Sequence, residues 1–123
     1  MVDTKLGCAG QVYGFDEYQN FTKSTAVYTG GGTGTLPAVS YCALGLAGEA
    51  GEVANKVKKL LRDGDSLEKR KEITKEIGDV LWYASQLLNE LGGYSMGETA
   101  IYNTVKLQKR KQKGTLHGEG DNR

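Results

Sequence analysis

Four carboxylates in this sequence form two pairs with nearly the same spacing. Glu49 and Glu52 stand three apart in "LGLAGEAGEV", and Glu76 and Asp79 stand three apart in "KEIGDVLWY". Residues three apart on a helix share a face, so each pair projects its acids in one direction. Between the pairs lies a turn signal, "DGDS" at residues 63–66. If the chain folds into a hairpin about residues 64–65, Glu52 reaches the height of Glu76, and Glu49 that of Asp79. At about 1.5 Å of rise per residue the match is good to about two ångströms. Four like charges at one level repel strongly and must be protonated, hydrated or neutralised by cations. An all-oxygen set without His or Cys beside it suits a hard cation such as Mg²⁺ or Mn²⁺ and disfavours zinc. The competing interpretation is a plain solvated helix face, the usual fate of an isolated E-x-x-E. Spacing alone leaves the two evenly matched.

The elements that must carry these acids are helices. Pro37 fits the first turn of a long helix running to about Arg62. Its apolar stripe is Leu46, Ala50, Val53, Val57, Leu60 and Leu61, and Glu49, Glu52 and Lys56 flank that stripe rather than oppose it. Gly64 is expected in a left-handed turn. Asp65 caps the next helix, with Glu68 at the matching offset. That helix runs to Leu91 with Ile73, Ile77, Val80, Leu81, Ala84, Leu87, Leu88 and Leu91 as its stripe, and Glu76, Asp79 and Tyr83 again border it. Ahead of the pair, "FDEYQNFTKSTAVY" reads as a first helix with Asp16 and Gln19 as a capping box. After Gly92–Gly93, Ser95 and Glu98 cap a fourth helix that runs to about Lys113 and stops at Gly114. No strand alternation or internal repeat is visible. The expected fold is all-α, four helices with a long central hairpin, in a single domain over residues 1–123. Residues 1–14 are irregular and 114–123 form a flexible polar tail.

Bulk properties narrow the function classes. A net charge of +1 argues against a surface built to coat nucleic acid. With 38% hydrophobic and 25% charged residues the chain reads as globular, and its apolar runs are too short to span a membrane. No secretory signal is visible at the start. Cys8 and Cys42 are too few for a disulfide framework or a zinc site and read as plain thiols in a reducing cytoplasm. "TGGGTGTLP" lacks both the Lys-Ser/Thr ending and the preceding strand of a phosphate loop, so it reads as a flexible connector that moves over the site. Gly45, Gly48 and Gly51 form a ridge beside the first acid pair. Close helix crossing suffices for Gly51, whereas Gly48 reads as clearance for a phosphate group or a neighbouring helix.

The combination "LGLAGEAGEV" followed by "KEIGDVLWY" resembles the MazG-like nucleotide pyrophosphohydrolases of the all-α NTP pyrophosphatase superfamily. "EYQNFTKSTAVY" is similar to the family's first helix, "NTVKLQKRKQKG" to its last, and the closing "GDNR" to the tails of small phage-type members. The resemblance implies hydrolysis of nucleoside triphosphates to a monophosphate and pyrophosphate by metal-activated water. Mg²⁺ or Mn²⁺ would be held by Glu49, Glu52, Glu76 and Asp79, with Glu52 or Glu49 handling the water. It further implies a four-helix bundle completed by homo-dimer or homo-tetramer assembly, with sites near subunit boundaries. The location would be the cytoplasm, or the host cytoplasm if the gene belongs to a phage. Deoxynucleotides, dGTP among them, are the favoured substrates.

Around the acids, Lys56 and Lys59 are candidates to meet phosphate, although Lys56 at i+4 from Glu52 also fits an ordinary helical ion pair. Tyr83 matches a family tyrosine that contacts the sugar, and a half-buried structural tyrosine is the equal alternative. Asn103, Lys106 and Arg110 share a face of the last helix and match a family pattern for nucleotide binding; a solvated basic helix end is the alternative. Trp82 falls opposite its helix's stripe and is expected to pack on a partner chain rather than on a base. Two rival functions remain. A redox di-metal bundle wants Glu-x-x-His pairs, and the only histidine is His117, in the tail. A non-catalytic nucleotide or nucleic-acid binder would use the basic "KLQKRKQK" helix end; no stable nucleic-acid partner is expected.

Overall fold

The computed structural model describes residues 13–123, so Cys8 and most of the expected irregular N-terminus lie outside it. The described residues form four helices: α1 (Phe15–Ser24), α2 (Leu36–Asp63), α3 (Leu67–Leu91) and α4 (Met96–Lys113). The two long helices, α2 and α3, pair as the hairpin; α1 lies against α3, and α4 meets α1.

The stops follow local chemistry. Gly92 and Gly114 adopt the left-handed conformation after α3 and α4 (φ +71° in both), which a side chain would resist. Gly64 departs from expectation. Its φ of 99° comes with an extended ψ of 153°, a region open almost only to glycine. The cap of α3 is also one residue later than expected: Ser66 Oγ accepts from the Lys69 amide at 3.2 Å. Asp65 is drawn instead to the Arg70 guanidinium.

The first helix corrects two more expectations. It ends at Ser24 rather than Tyr28. The Ser24 and Thr25 hydroxyls donate back to the carbonyls of Phe21 and Thr22, a competition that weakens helix continuation. Asp16 and Gln19 do not cap α1, whose Gly14 amide donates to Glu17 instead. They cap α4. The Met96 amide donates to Gln19 Oε1 at 2.6 Å, and the Gly97 amide to Asp16 Oδ1 at 2.8 Å. Ser95 Oγ takes the Glu98 amide at 3.1 Å, as its capping motif predicts. Three otherwise orphaned helix-start amides are thereby satisfied, and a carboxylate sits at the positive end of the helix dipole. Gly97 makes the approach possible, because a Cβ there would lie 2.9 Å from Asp16 Oδ1.

The apolar stripes are only partly covered. Leu46, Val53, Leu60, Ile73 and Val80 are half-buried along the hairpin seam, but Leu61 is 87% exposed, Leu91 59% and Ile77 51%. Two helices side by side shield only the seam between them. The polar tail is not free either. It folds back, with Arg110 donating to Asp121 and Arg123 donating to the carbonyls of Thr115 and Leu116.

Gln19→Ala and Asp16→Ala should each cost about 1–2 kcal/mol in urea unfolding, the range for lost helix caps. A Ser95→Ala control should cost a similar amount, because it removes a donor's partner on the same turn.

Candidate metal centre and its aromatic wall

Helix α2 carries Glu49 and α3 carries Glu76 and Asp79 to one place. One carboxylate oxygen from each lies within 4.8 Å of the others. Glu49 and Glu76 are half-buried and Asp79 is exposed. Glu52 lies outside this trio and faces solvent, so the expected group of four is three acids plus a neighbour. Partial burial raises the affinity of Glu49 for a proton, and the charges of Asp79, Glu76 and Glu52 raise it further. Those groups are short of positive charge, and all-oxygen donors at this separation suit a hard divalent cation. Lys56 supplies one counter-charge. Its ammonium sits 2.6 Å from Glu76 Oε1, across the hairpin, rather than on Glu52 one turn back. Lys59 is exposed on α2.

Beside the acids is a pocket of about 400 Å³ lined by Thr25, Glu49, Asp79, Trp82 and Tyr83. The Trp82 indole donates to Thr25 Oγ1 at 2.8 Å and meets the Tyr28 and Tyr83 rings edge-on. Within its own chain Trp82 thus packs against the segment that follows α1 and remains half-buried. Tyr83 lies across α2 where Gly45 leaves room, since a Cβ on Gly45 would come 2.2 Å from the ring. Of the glycine ridge, it is thus Gly45 that marks the close crossing. A Cβ at Gly48 or Gly51 would meet nothing within 4 Å, so within one protomer no helix crosses close at Gly51.

The α4 candidates lie elsewhere in the single chain. Asn103 and Lys106 line a cleft of about 490 Å³ with Phe15, Leu88 and Tyr102. Lys106 is 3.5 Å from Asp121. Arg110 is buried and engages Asp121 through both its carbonyl and its carboxylate. Within one protomer, Arg110 clasps the tail.

The structure adds Glu90, Tyr28 and Gln86, which belong to no functional motif in the sequence. Glu90 is 3% exposed. Burial alone would push its carboxyl up, but bonds from the Gly32 amide, the Tyr28 hydroxyl and the Gly34 amide outweigh that and hold it below the usual range. The glycine-rich connector is consequently pinned to α3, not a free flap. One signal was present: an acid at the C-terminal end of a helix opposes the dipole, so it needs dedicated donors.

Residues 39–115 match the family described as the MazG nucleotide pyrophosphohydrolase domain. The chain is also 46% identical, over 112 residues, to the Gene 37 protein of Mycobacterium phage L5, covering 88% of this chain and 97% of that protein. No solved structure matches.

Because the Glu49 pKa is raised on folding, the native state binds more protons than the unfolded chain just above the normal carboxylate range. Stability from this group therefore falls as pH rises through that window. Without divalent cations, Glu49→Gln should melt higher than wild type at pH 7, with the gap closing towards pH 4. Adding Mn²⁺ should raise the wild-type melting temperature more than that of the variant.

Proposed function

Given that this chain belongs to the MazG nucleotide pyrophosphohydrolase family, we propose that it hydrolyses nucleoside triphosphates to the monophosphate and pyrophosphate with Mg²⁺ or Mn²⁺ as cofactor. The observation that carries this is the convergence of Glu49, Glu76 and Asp79 from two helices onto one point. Their oxygen donors fit the cation, and the charge of Glu52 acts on Glu49 from outside the trio. When bound, the metal offsets the acids' repulsion of a polyphosphate and stabilises charge at the breaking bond. The rest falls to side chains. Glu52 or Glu49 would take a proton from the attacking water. Lys56 balances Glu76 and, with Lys59, is available to the phosphates. Tyr83 borders the acids on the side where the sugar would lie.

Asn103 and Lys106 line a different cleft from the one beside the acids, and a second copy would bring such a pair to the nucleotide. Exposure of Leu44, Leu61, Ile77, Ile101 and Tyr102 supports a homo-dimer or homo-tetramer. Arg110 joins the substrate only if Asp121 releases it. We infer deoxynucleotides, including dGTP, as substrates, and one domain spanning 1–123. The phage relative favours action in a host cytoplasm; no helix among the described residues is long and apolar enough to cross a membrane.

A nucleotide panel assayed for pyrophosphate release with Mg²⁺ or Mn²⁺ tests this directly. Asp79→Asn should lower kcat/KM at least about 100-fold, equivalent to about 2.7 kcal/mol of transition-state stabilisation, with helical circular dichroism retained. Turnover that survives Asp79→Asn and Glu49→Gln, or binding of oligonucleotides without any turnover, would overturn the assignment.

A further inference from the structure

The Glu90 carboxylate occupies an arrangement normally built for an external anion. Backbone amides of Gly32 and Gly34 converge on it, the latter at 3.0 Å, as amides converge on phosphate in a nest. Gly32 and Gly34 both have φ near the left-handed region (+83° and +67°), so the loop's glycines are needed to aim these amides. Tyr28 donates its hydroxyl proton to Glu90 Oε1 at 2.8 Å and accepts from Gln86 at 3.1 Å and Cys42 at 3.2 Å. A phenol has one proton to give and two lone pairs to receive, so the Tyr28 hydroxyl is saturated and its ring is held.

From that ring the chain of contacts leads to the acids. Tyr28 stacks on Tyr41 at 4.5 Å between centroids and meets the edge of Trp82 at 6.3 Å. Trp82 and Tyr83, 5.0 Å apart and nearly perpendicular, are the two aromatic walls of the pocket that contains Glu49 and Asp79. The hydrogen bonds of the Glu90 carboxylate go to Tyr28, Gly32, Gly34 and Gln86, not to those acids or that pocket's lining.

We propose that Glu90 is a positioning residue: held by the glycine loop, it fixes Tyr28 and thereby the Trp82–Tyr83 wall against which the planar, organic end of the substrate is held. This rests on the nucleotide assignment above and extends it. Glu90 then sets how well substrate binds, while the carboxylate trio sets how fast it reacts.

Trp82 is the only tryptophan of the chain, so its emission reports on this wall without turnover. The experiment compares the full-length wild type with Glu90→Gln and Tyr28→Phe. It measures tryptophan emission, the affinity for Mn²⁺ alone by quenching of Trp82, and kcat and KM on the best nucleotide of the panel. Glu90→Gln should shift emission to longer wavelength and raise KM about tenfold. Its kcat should stay within about threefold, and its Mn²⁺ affinity within about twofold. Tyr28→Phe, which cuts the link but leaves the loop pinned, should move the same readouts in the same direction by less, and it decides the matter if Glu90→Gln does not fold. Unchanged emission and KM in the folded variants, or a kcat and Mn²⁺ affinity that fall along with binding, would overturn the proposal. If the wild type turns over no nucleotide, the hydrolase assignment fails separately, and an emission unchanged from wild type in both variants still overturns this one.

Discussion

A pair of helices laid side by side can remove from water only the residues along their seam, and this narrow seam governs the rest of the molecule. Among the described residues, the buried apolar side chains are just Ala38, Cys42 and Met96, while Gln19, Thr22, Ser85, Gln86, Glu90 and Arg110 are buried polar ones. The short first helix and the fourth helix are therefore attached less by apolar area than by directed bonds. Thr22 meets Ser85 at 3.0 Å, Asn89 donates to the Gln19 carbonyl, and α1 side chains cap α4. Such bonds contribute about 1 kcal/mol each when made and cost more when a buried partner is orphaned. They specify position more strongly than they add stability.

The same geometry explains why carboxylates on this scaffold behave in opposite ways. Glu90 and Glu49 are chemically identical and both partly or wholly removed from water. Glu90 has amides and a phenol aimed at it, and its charge is held. Glu49 has other acids aimed at it, and its charge is resisted. Burial without donors makes a group that seeks a cation or a proton; burial with donors makes a strut. Between the strut and the cation-seeking trio lies a cluster of four aromatic rings, Tyr28, Tyr41, Trp82 and Tyr83.

The glycines divide in a similar way. Gly45 admits Tyr83 against α2, and Gly97 admits Asp16 against α4. In the connector, Gly32 and Gly34 turn amides inward. At Gly48 and Gly51, although they belong to the same sequence ridge as Gly45, an added Cβ would meet nothing within 4 Å in the same chain. Spacing places such residues on a common face, but the crossing of the two helices selects which of them is pressed.

The sequence by itself determined four helices, the turn between the two long ones, the stops at Gly92 and Gly114, the Ser95 cap and the meeting of Glu49 with Glu76 and Asp79. All of these depend on residues within a turn or two of one another, or on helical rise counted from a single turn. Only the tertiary structure decided that Asp16 and Gln19 cap a helix about 80 residues later, that Lys56 crosses to Glu76, and that Glu52 stays outside the trio. It alone set the tryptophan against Thr25 and Tyr28 and made Glu90 the anchor of the glycine loop. Side-chain hydrogen bonds and ion pairs are satisfied by whichever partner lies nearest in space. A capping pattern or an i, i+4 charge pair names only the nearest partner along the chain.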